Sequence, residues 1–250
     1  MTISVVVPFY NPPLHLFAEC LRALKKLNPY EVILVDDCST DSQAVQMAQI
    51  SGFIYLKTPY QSGFDGLPFN LGANAAKGEY VCRVDADDVL LELPEMIETD
   101  IHFGRLNRVK APVGITIEEL ILAPRAICNA LVAKKEIWLK YPLAEDTNVY
   151  GDVLFALRGL QNQHTHSVHP TVNYIYHKHP ASIQNSKPLF HHRLRLVQTV
   201  ARFCQLEQID TQQSIRYLEM AMLNVRHGSG SLKLYEQHHH HPSTNGRDTS

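Results

Sequence analysis

The sequence predicts an α/β fold built on a mostly parallel central sheet with helices on both faces. Two observations carry this: short β-branched runs alternate with amphipathic helical stretches between residues 3 and 84, and each strand reaches the next through a helix, as right-handed crossovers require. A third observation is placement. The acidic clusters Asp36-Asp37 and Asp85-Ala86-Asp87-Asp88 both fall at the carboxyl ends of expected strands, where ligands bind in such sheets.

Taken in chain order, Ile3 to Val7 is a β-branched run stopped by Pro8, the pattern of a buried parallel strand. Leu14 to Leu27 carries Leu14, Phe17, Leu21 and Leu24 at helical spacing, with Lys25 and Lys26 in the last turn. Tyr30 to Val35 is the second strand and delivers Asp36-Asp37. Ser39, Thr40 and Asp41 are capping candidates for a helix over Ser42 to Ile50. Phe53 to Lys57 is the third strand, Asn70 to Ala76 a helix closed by Gly78, and Glu79 to Val84 a fourth strand that delivers Asp85. The second half is less regular: strands over Ile101 to Gly104, Ala126 to Ala133 and Val172 to Tyr176, and helices over Val149 to Leu160 and Phe190 to Leu206.

A chain of 250 residues with 45% apolar residues fits one α/β domain, expected over 1–227. The formal net charge of -2 argues against a nucleic-acid partner. Nothing approaches the roughly 18 apolar residues of a membrane span, and Met1-Thr2-Ile3-Ser4 is unlike a signal peptide. Five scattered cysteines without a CxxC pair suit a reducing, cytoplasmic setting. Residues 228–250, with Gly228-Ser229-Gly230-Ser231 and His238 to His241, read as a flexible tail or expression remnant, or else as a metal-binding His tract.

Three carboxylates at one strand end repel one another, and a divalent cation with oxygen ligands relieves that cost; Mn²⁺ or Mg²⁺ suits carboxylates together with diphosphate oxygens. The alternative is a solvated acidic turn capping the next helix. Asp36-Asp37 before Ser39-Thr40-Asp41 likewise suits ordinary turn and capping chemistry.

Val5-Val6-Val7-Pro8-Phe9-Tyr10-Asn11 and Glu31-Val32-Ile33-Leu34-Val35-Asp36-Asp37-Cys38-Ser39-Thr40-Asp41 open the chain. Asn70-Leu71-Gly72, Ala76-Lys77-Gly78-Glu79-Tyr80 and Arg83-Val84-Asp85-Ala86-Asp87-Asp88 follow. Over residues 3–88, and more faintly to about residue 185, the chain resembles glycosyltransferase family 2 in the order and approximate spacing of these pieces. The resemblance implies a GT-A fold, to which the helix over Phe190 to Leu206 adds a C-terminal helical segment, and metal-dependent, inverting transfer from a UDP-sugar to a hydroxyl of a glycan or lipid-linked acceptor. It places Pro8, Tyr10, Asn11, Asp37, Asn70, Arg83, Asp85 and Ala86 around the nucleotide-sugar, with Asp37 on the uracil and Asp85 near ribose or metal. It makes Asp87 the direct metal ligand. Tyr176-His177-Lys178-His179-Pro180-Ala181-Ser182 resembles a later family segment in which His177 stands where arginine is usual; such residues reach the diphosphate or complete the metal shell, with His179 the candidate ligand, and a pair of surface histidines is the alternative.

The family's base is an Asp in a Glu-Asp pair, six residues before an Arg. Asp152 has that spacing to Arg158, with Gly151 in place of Glu, and is the candidate base; its position at a helix start would suit any carboxylate. Glu145-Asp146 is the rival, holding the pair without the spacing. Phe69 replaces a usual Arg before Asn70, a loss for which Arg83 can partly compensate. Arg193, Arg195 and Arg202 make the helix after Phe190 basic, so peripheral association with the inner face of a membrane stays open beside packing of its apolar face on the sheet. The rival functions are a nucleotide-sugar-binding protein without transfer, motivated by Gly151 and Phe69, and a dehydrogenase or NTPase. The last two lack support, since neither GxGxxG after the first strand nor GxxxxGK[ST] occurs. A zinc site from His164, His166, His169, His177 and His179 has no supporting Cys or HExxH pattern.

Overall fold

The computed structural model describes residues 1–107, 115–124, 130–146, 150–180 and 189–227, with 189–193 as backbone only. The expected tail from 228, part of the strand expected over Ala126 to Ala133, and the side chain of Arg193 lie outside the described residues.

β1 (Ile3–Phe9), β2 (Glu31–Asp36), β3 (Ile54–Lys57) and β4 (Tyr80–Arg83) run parallel in the order β3-β2-β1-β4. Their crossovers are α1 (Leu14–Leu27), α2 (Ser42–Ile50) and α3 (Gly66–Ala75). After β4 come β5 (Val89–Leu90), β6 (Ile101–Phe103), α4 (Ile117–Leu122) and β7 (Val132–Lys134), then α5 (Lys135–Lys140), α6 (Gly151–Gln161), β8 (His166–Val168) and β9 (Tyr174–Ile175). β7 joins β4 antiparallel, β6 joins β7 antiparallel and β8 joins β6 parallel, completing a seven-stranded sheet. β5 and β9 form a separate antiparallel pair above it. The sheet is therefore mostly parallel, as expected, with its two antiparallel junctions at β7.

β1, β2 and β4 are buried on both faces because both are covered, whereas β3 is a partly exposed edge. Val5, Val7, Val32 and Leu34 pack with Phe17, Leu21 and Leu24 of α1, whereas Val6, Ile33 and Val35 face Phe69 and Ala73 of α3 and the later helices. α1 ends where Asn28 turns left-handed at φ 48° and its N–H closes on the Leu24 carbonyl. α2 is capped by Asp41, whose side chain accepts the Gln43 and Ala44 amides.

Two expected boundaries move for local reasons. β1 runs through Pro8 to Phe9, because the ladder to β4 has ended by Val6 and the missing N–H there breaks no bond on that side. α3 begins at Gly66 rather than Asn70, since Pro68 in a first turn lacks only an N–H that has no helical partner. Gly72 sits where α3 crosses the sheet, and a Cβ there would lie 2.5 Å from Val6 Cγ1 and 2.9 Å from Val35 Cγ2. Gly72→Ala is accordingly expected to cost about 1–3 kcal/mol, read as a fall in the thermal midpoint. An unchanged midpoint would mean that helix and sheet separate freely.

α7 (Leu189–Leu206) and α8 (Thr211–His227) form the C-terminal helical segment, and α8 was not foreseen. α7 buries Leu196, Val200, Phe203 and Cys204 in the core that also holds Leu154 and Leu157 of α6 and Tyr217 and Ala221 of α8. Its apolar face is thus occupied by helices, not by the sheet. No helix among the described residues is long and apolar enough to cross a membrane.

Candidate active site

The carboxyl ends of β1, β2 and β4 meet at one edge of the sheet. The β2 end supplies Asp36 and Asp37, both buried. Asp36 accepts the Ser39 amide at 2.7 Å and the Tyr55 hydroxyl at 2.8 Å; burial, then that hydrogen bond, pushes Tyr55 up to about 12. Asp37 accepts from Thr58 Oγ1 at 3.1 Å, Ser62 Oγ at 2.9 Å, and the Ser62 and Gly63 amides at 3.0 and 3.1 Å. It thereby fixes the loop between β3 and α3. Asn11, left-handed at φ 42°, ties the β1 end to the same region by accepting the Thr40 and Asp41 amides and donating to Thr40 Oγ1. Pro8 is buried in β1, and Tyr10 beside it is exposed.

The β4 end supplies Asp85, Asp87 and Asp88. Pairing of Val89 with Ile175 and Leu90 with Tyr174 folds the segment after β9 back over them. The His177 amide then donates to Asp88 at 2.8 Å, and His177 Nδ1 lies 2.9 Å from the Asp87 carbonyl, to which it must donate. His179 Nε2 lies 2.7 Å from Asp87 Oδ2. The Tyr174 hydroxyl, wholly buried, accepts the Asp85 amide at 3.1 Å. Burial raises the Asp85 carboxyl above the usual carboxylate range, opposed by Arg83 and reinforced by Asp87, Asp65 and Asp152. Burial raises Asp88 as well, with Asp85 and Asp87 adding to it. Ala86 is buried between these carboxylates.

Arg83, the last residue of β4, is 8% exposed and gathers three carboxylates from different parts of the chain. Its Nη2 lies 2.7 Å from Asp65 and 2.8 Å from Asp85, and its Nη1 lies 4.0 Å from Asp152. Asp152 stands in the first turn of α6, which starts from Tyr150 at φ 66°. Burial raises its carboxyl above the usual range, against the pull of Arg83. A carboxylate whose basicity is raised is a better proton acceptor than an ordinary aspartate.

The expected residues Asp85, Asp87, His179, Arg83 and Asp152 therefore share one edge with Asp37, Asn11 and Pro8. Asn70 is turned elsewhere: it accepts the Leu143 amide at 2.9 Å and donates to the Leu143 carbonyl at 2.9 Å and to Glu145 at 3.1 Å. Glu145 is thus engaged by Asn70, and Asp146 faces Arg202 of α7 at 2.5 Å on the outer surface. Phe69 is wholly buried with its ring edge-on to Trp138, centroids 4.6 Å apart. A cavity of about 480 Å³ lies between the 142–146 segment, α6 and α7, and neither Arg83, Asp85, Asp87 nor Asp152 lines it.

His164 meets Asp100 at 3.4 Å, and His169 pairs with His102 at 3.0 Å, so these histidines are scattered from His177 and His179. Among the described residues no group of three or more His, Cys, Asp or Glu side chains forms a ready metal cage. The donor set of Asp87 and His179 nonetheless fits a cation that takes its remaining ligands from diphosphate and water, as Mg²⁺ commonly does. Asp65, Thr58, Ser62 and Tyr174 were missed from sequence. Only Asp65 had a local signal, a carboxylate preceding a Gly-Leu-Pro helix start.

Residues 4–101 match the family model of glycosyl transferase family 2. A poly(ribitol-phosphate) beta-glucosyltransferase of Bacillus spizizenii is 38% identical over 125 residues, 44% of this chain and 20% of that protein. The poly(ribitol-phosphate) beta-N-acetylglucosaminyltransferase TarS of Staphylococcus aureus is 26% identical over 245 residues, 85% of this chain and 43% of that protein. The chain thus spans less than half the length of both relatives. The crystal structure of TarS residues 1–349 in complex with UDP-GlcNAc superposes with a TM-score of 0.68 at 23% identity, covering 95% of this chain and 78% of that one. The mannosyltransferase PcManGT from Pyrobaculum calidifontis, in complex with GDP-Man and Mn²⁺, superposes with a TM-score of 0.61 at 16% identity, covering 94% of this chain and 79% of that one. At these identities the likeness shows the fold, which is the expected GT-A fold.

Proposed function

Because residues 4–101 match the model of glycosyl transferase family 2, we propose that the chain is a hexosyl- or N-acetylhexosaminyl-transferase that moves a sugar from a UDP-sugar to a hydroxyl of a glycan or lipid-linked acceptor. The observation that carries this reading is the convergence of Asp85, Arg83 and Asp152 with the Asp87–His179 pair at the carboxyl edge of the sheet. Asp37, Asn11, Pro8 and Tyr10 bound the nucleotide end. Asp152 accepts the proton of the acceptor hydroxyl, whose oxygen forms the new bond to the sugar C1 as the bond from C1 to the diphosphate breaks, with inversion at that carbon. Asp87 and His179 would hold Mn²⁺ or Mg²⁺, which when bound offsets the charge that develops on departing UDP. Residues 1–227 make up the transferase domain, acting in the cytoplasm and, for a lipid-linked acceptor, at the inner face of the membrane.

Thermal unfolding with UDP, GDP and several UDP-sugars, each with and without Mn²⁺, tests this. A ligand at about a hundred times its Kd adds about 2.7 kcal/mol, which raises the midpoint of a domain of this size by about 5–10 °C. That rise is expected with uridine ligands and metal together. No rise with any uridine ligand at saturation would overturn the proposal. The rival reading, a nucleotide-sugar-binding protein without transfer, is favoured by Phe69, which lies in the core where the family usually has an arginine. It predicts the same stabilisation with neither transfer nor donor hydrolysis.

A further inference from the structure

We propose that Asp65 is a positioning residue for Asp152, acting through the Arg83 guanidinium: by occupying Nη2 it keeps Arg83 from closing onto the base. The inference rests on the assignment of Asp152 as the base. Arg83 is nearly buried and meets Asp65 and Asp85 at hydrogen-bond distance, but Asp152 only at 4.0 Å. An aspartate held in a close, two-pronged pair with arginine has its lone pairs engaged and is a poor proton acceptor. Asp152 is spared that pairing while remaining near a cation.

Asp65 is itself held in place from two sides. Upstream, Asp37 fixes Ser62 and Gly63. Downstream, Gly66 lies so close to the chain that a Cβ there would stand 2.2 Å from the Ala144 carbonyl oxygen, so the start of α3 is seated backbone against backbone. The charged groups that face Asp152 are Arg83 from β4, Asp85 just after it and Asp65 ahead of α3. Neutralising Asp65 removes a negative neighbour and leaves Arg83 Nη2 held by Asp85 alone, so that the guanidinium can swing closer to the base. Both changes lower the basicity of Asp152.

The test compares Asp65→Asn and Asp65→Glu with the unaltered chain in steady-state transfer across pH, with UDP binding followed by thermal shift. Asp65→Asn is expected to lower kcat about 10–100-fold while UDP binding stays within about twofold, and to move the acid limb of the kcat profile to lower pH. Asp65→Glu, which keeps the charge, is expected to recover most of the rate. Arg83→Lys, with one nitrogen in place of the fork, should lower kcat similarly and serves should Asp65→Asn not fold. A fall in kcat with an unmoved acid limb, or no fall, would overturn the proposal. The Asp152 carboxyl titration, followed by ¹³C NMR and assigned with Asp152→Asn, reads the same coupling without turnover. An unmoved titration in Asp65→Asn overturns the positioning role, whereas a chain inert towards every donor counts instead against the transferase assignment.

Discussion

Asp152→Asn is expected to lower sugar transfer by about 10²–10⁴-fold, the usual contribution of a general base, while leaving metal-dependent UDP binding within about twofold. The substitution keeps the size of the side chain and an oxygen for the Val153 amide, which Asp152 Oδ1 accepts at 2.8 Å, so the first turn of α6 should survive. What is lost is the ability to take a proton. Because burial raises the Asp152 carboxyl, the unaltered enzyme should lose activity as pH falls through a value above that of an ordinary aspartate, about 3.9. The base works only when deprotonated, so the rate rises with pH across that window and then levels. Asp146→Asn provides the contrast. That carboxylate is engaged by Arg202 on the outer surface, and its replacement should leave the rate near that of the unaltered enzyme. Full transfer by Asp152→Asn would eliminate the base assignment.

Asp87→Ala should abolish the metal-dependent part of UDP stabilisation and lower transfer by at least about 10²-fold, because the charge on the departing diphosphate then lacks its counter-ion. The variant separates ligation from folding. Asp87 is one of the like charges that raise Asp85 and Asp88, so its removal relieves repulsion in the metal-free protein. The metal-free midpoint should therefore stay level or rise while the increment from UDP and Mn²⁺ disappears. Retention of that increment would remove Asp87 from the metal shell.

The first half of the fold was legible because β1 and β2, buried on both faces, read as nearly unbroken apolar runs. α1 and α2 match their expected spans at both ends, since Lys25-Lys26 with Asn28 and the Asp41 cap are local signals. β5 and β8 were not legible: two or three residues carry no periodicity, and they are strands only because Tyr174–Ile175 and Ile101–Phe103 lie beside them. The same distinction runs through the site. Asp85 and Asp87 announce themselves as a charge cluster, whereas Asp65 matters because of a guanidinium 18 residues away that tertiary structure brings within 2.7 Å. Asn70 is placed at the nucleotide-sugar by the family resemblance. Its partners, Leu143 and Glu145, are more than 70 positions distant and could not be inferred from its neighbours in sequence.

The small β5–β9 ladder joins residues some 85 positions apart and helps to bring His177 and His179 over the acidic cluster. Residues 4–101, which match the family model, therefore hold the residues proposed for the nucleotide end but neither histidine nor Asp152. A chain still emerging from the ribosome would carry the residues proposed for the nucleotide before the two histidines and Asp152 had been made. On the proposed reading turnover would wait until the far segment has crossed back, and a half-made chain would not yet hydrolyse donor.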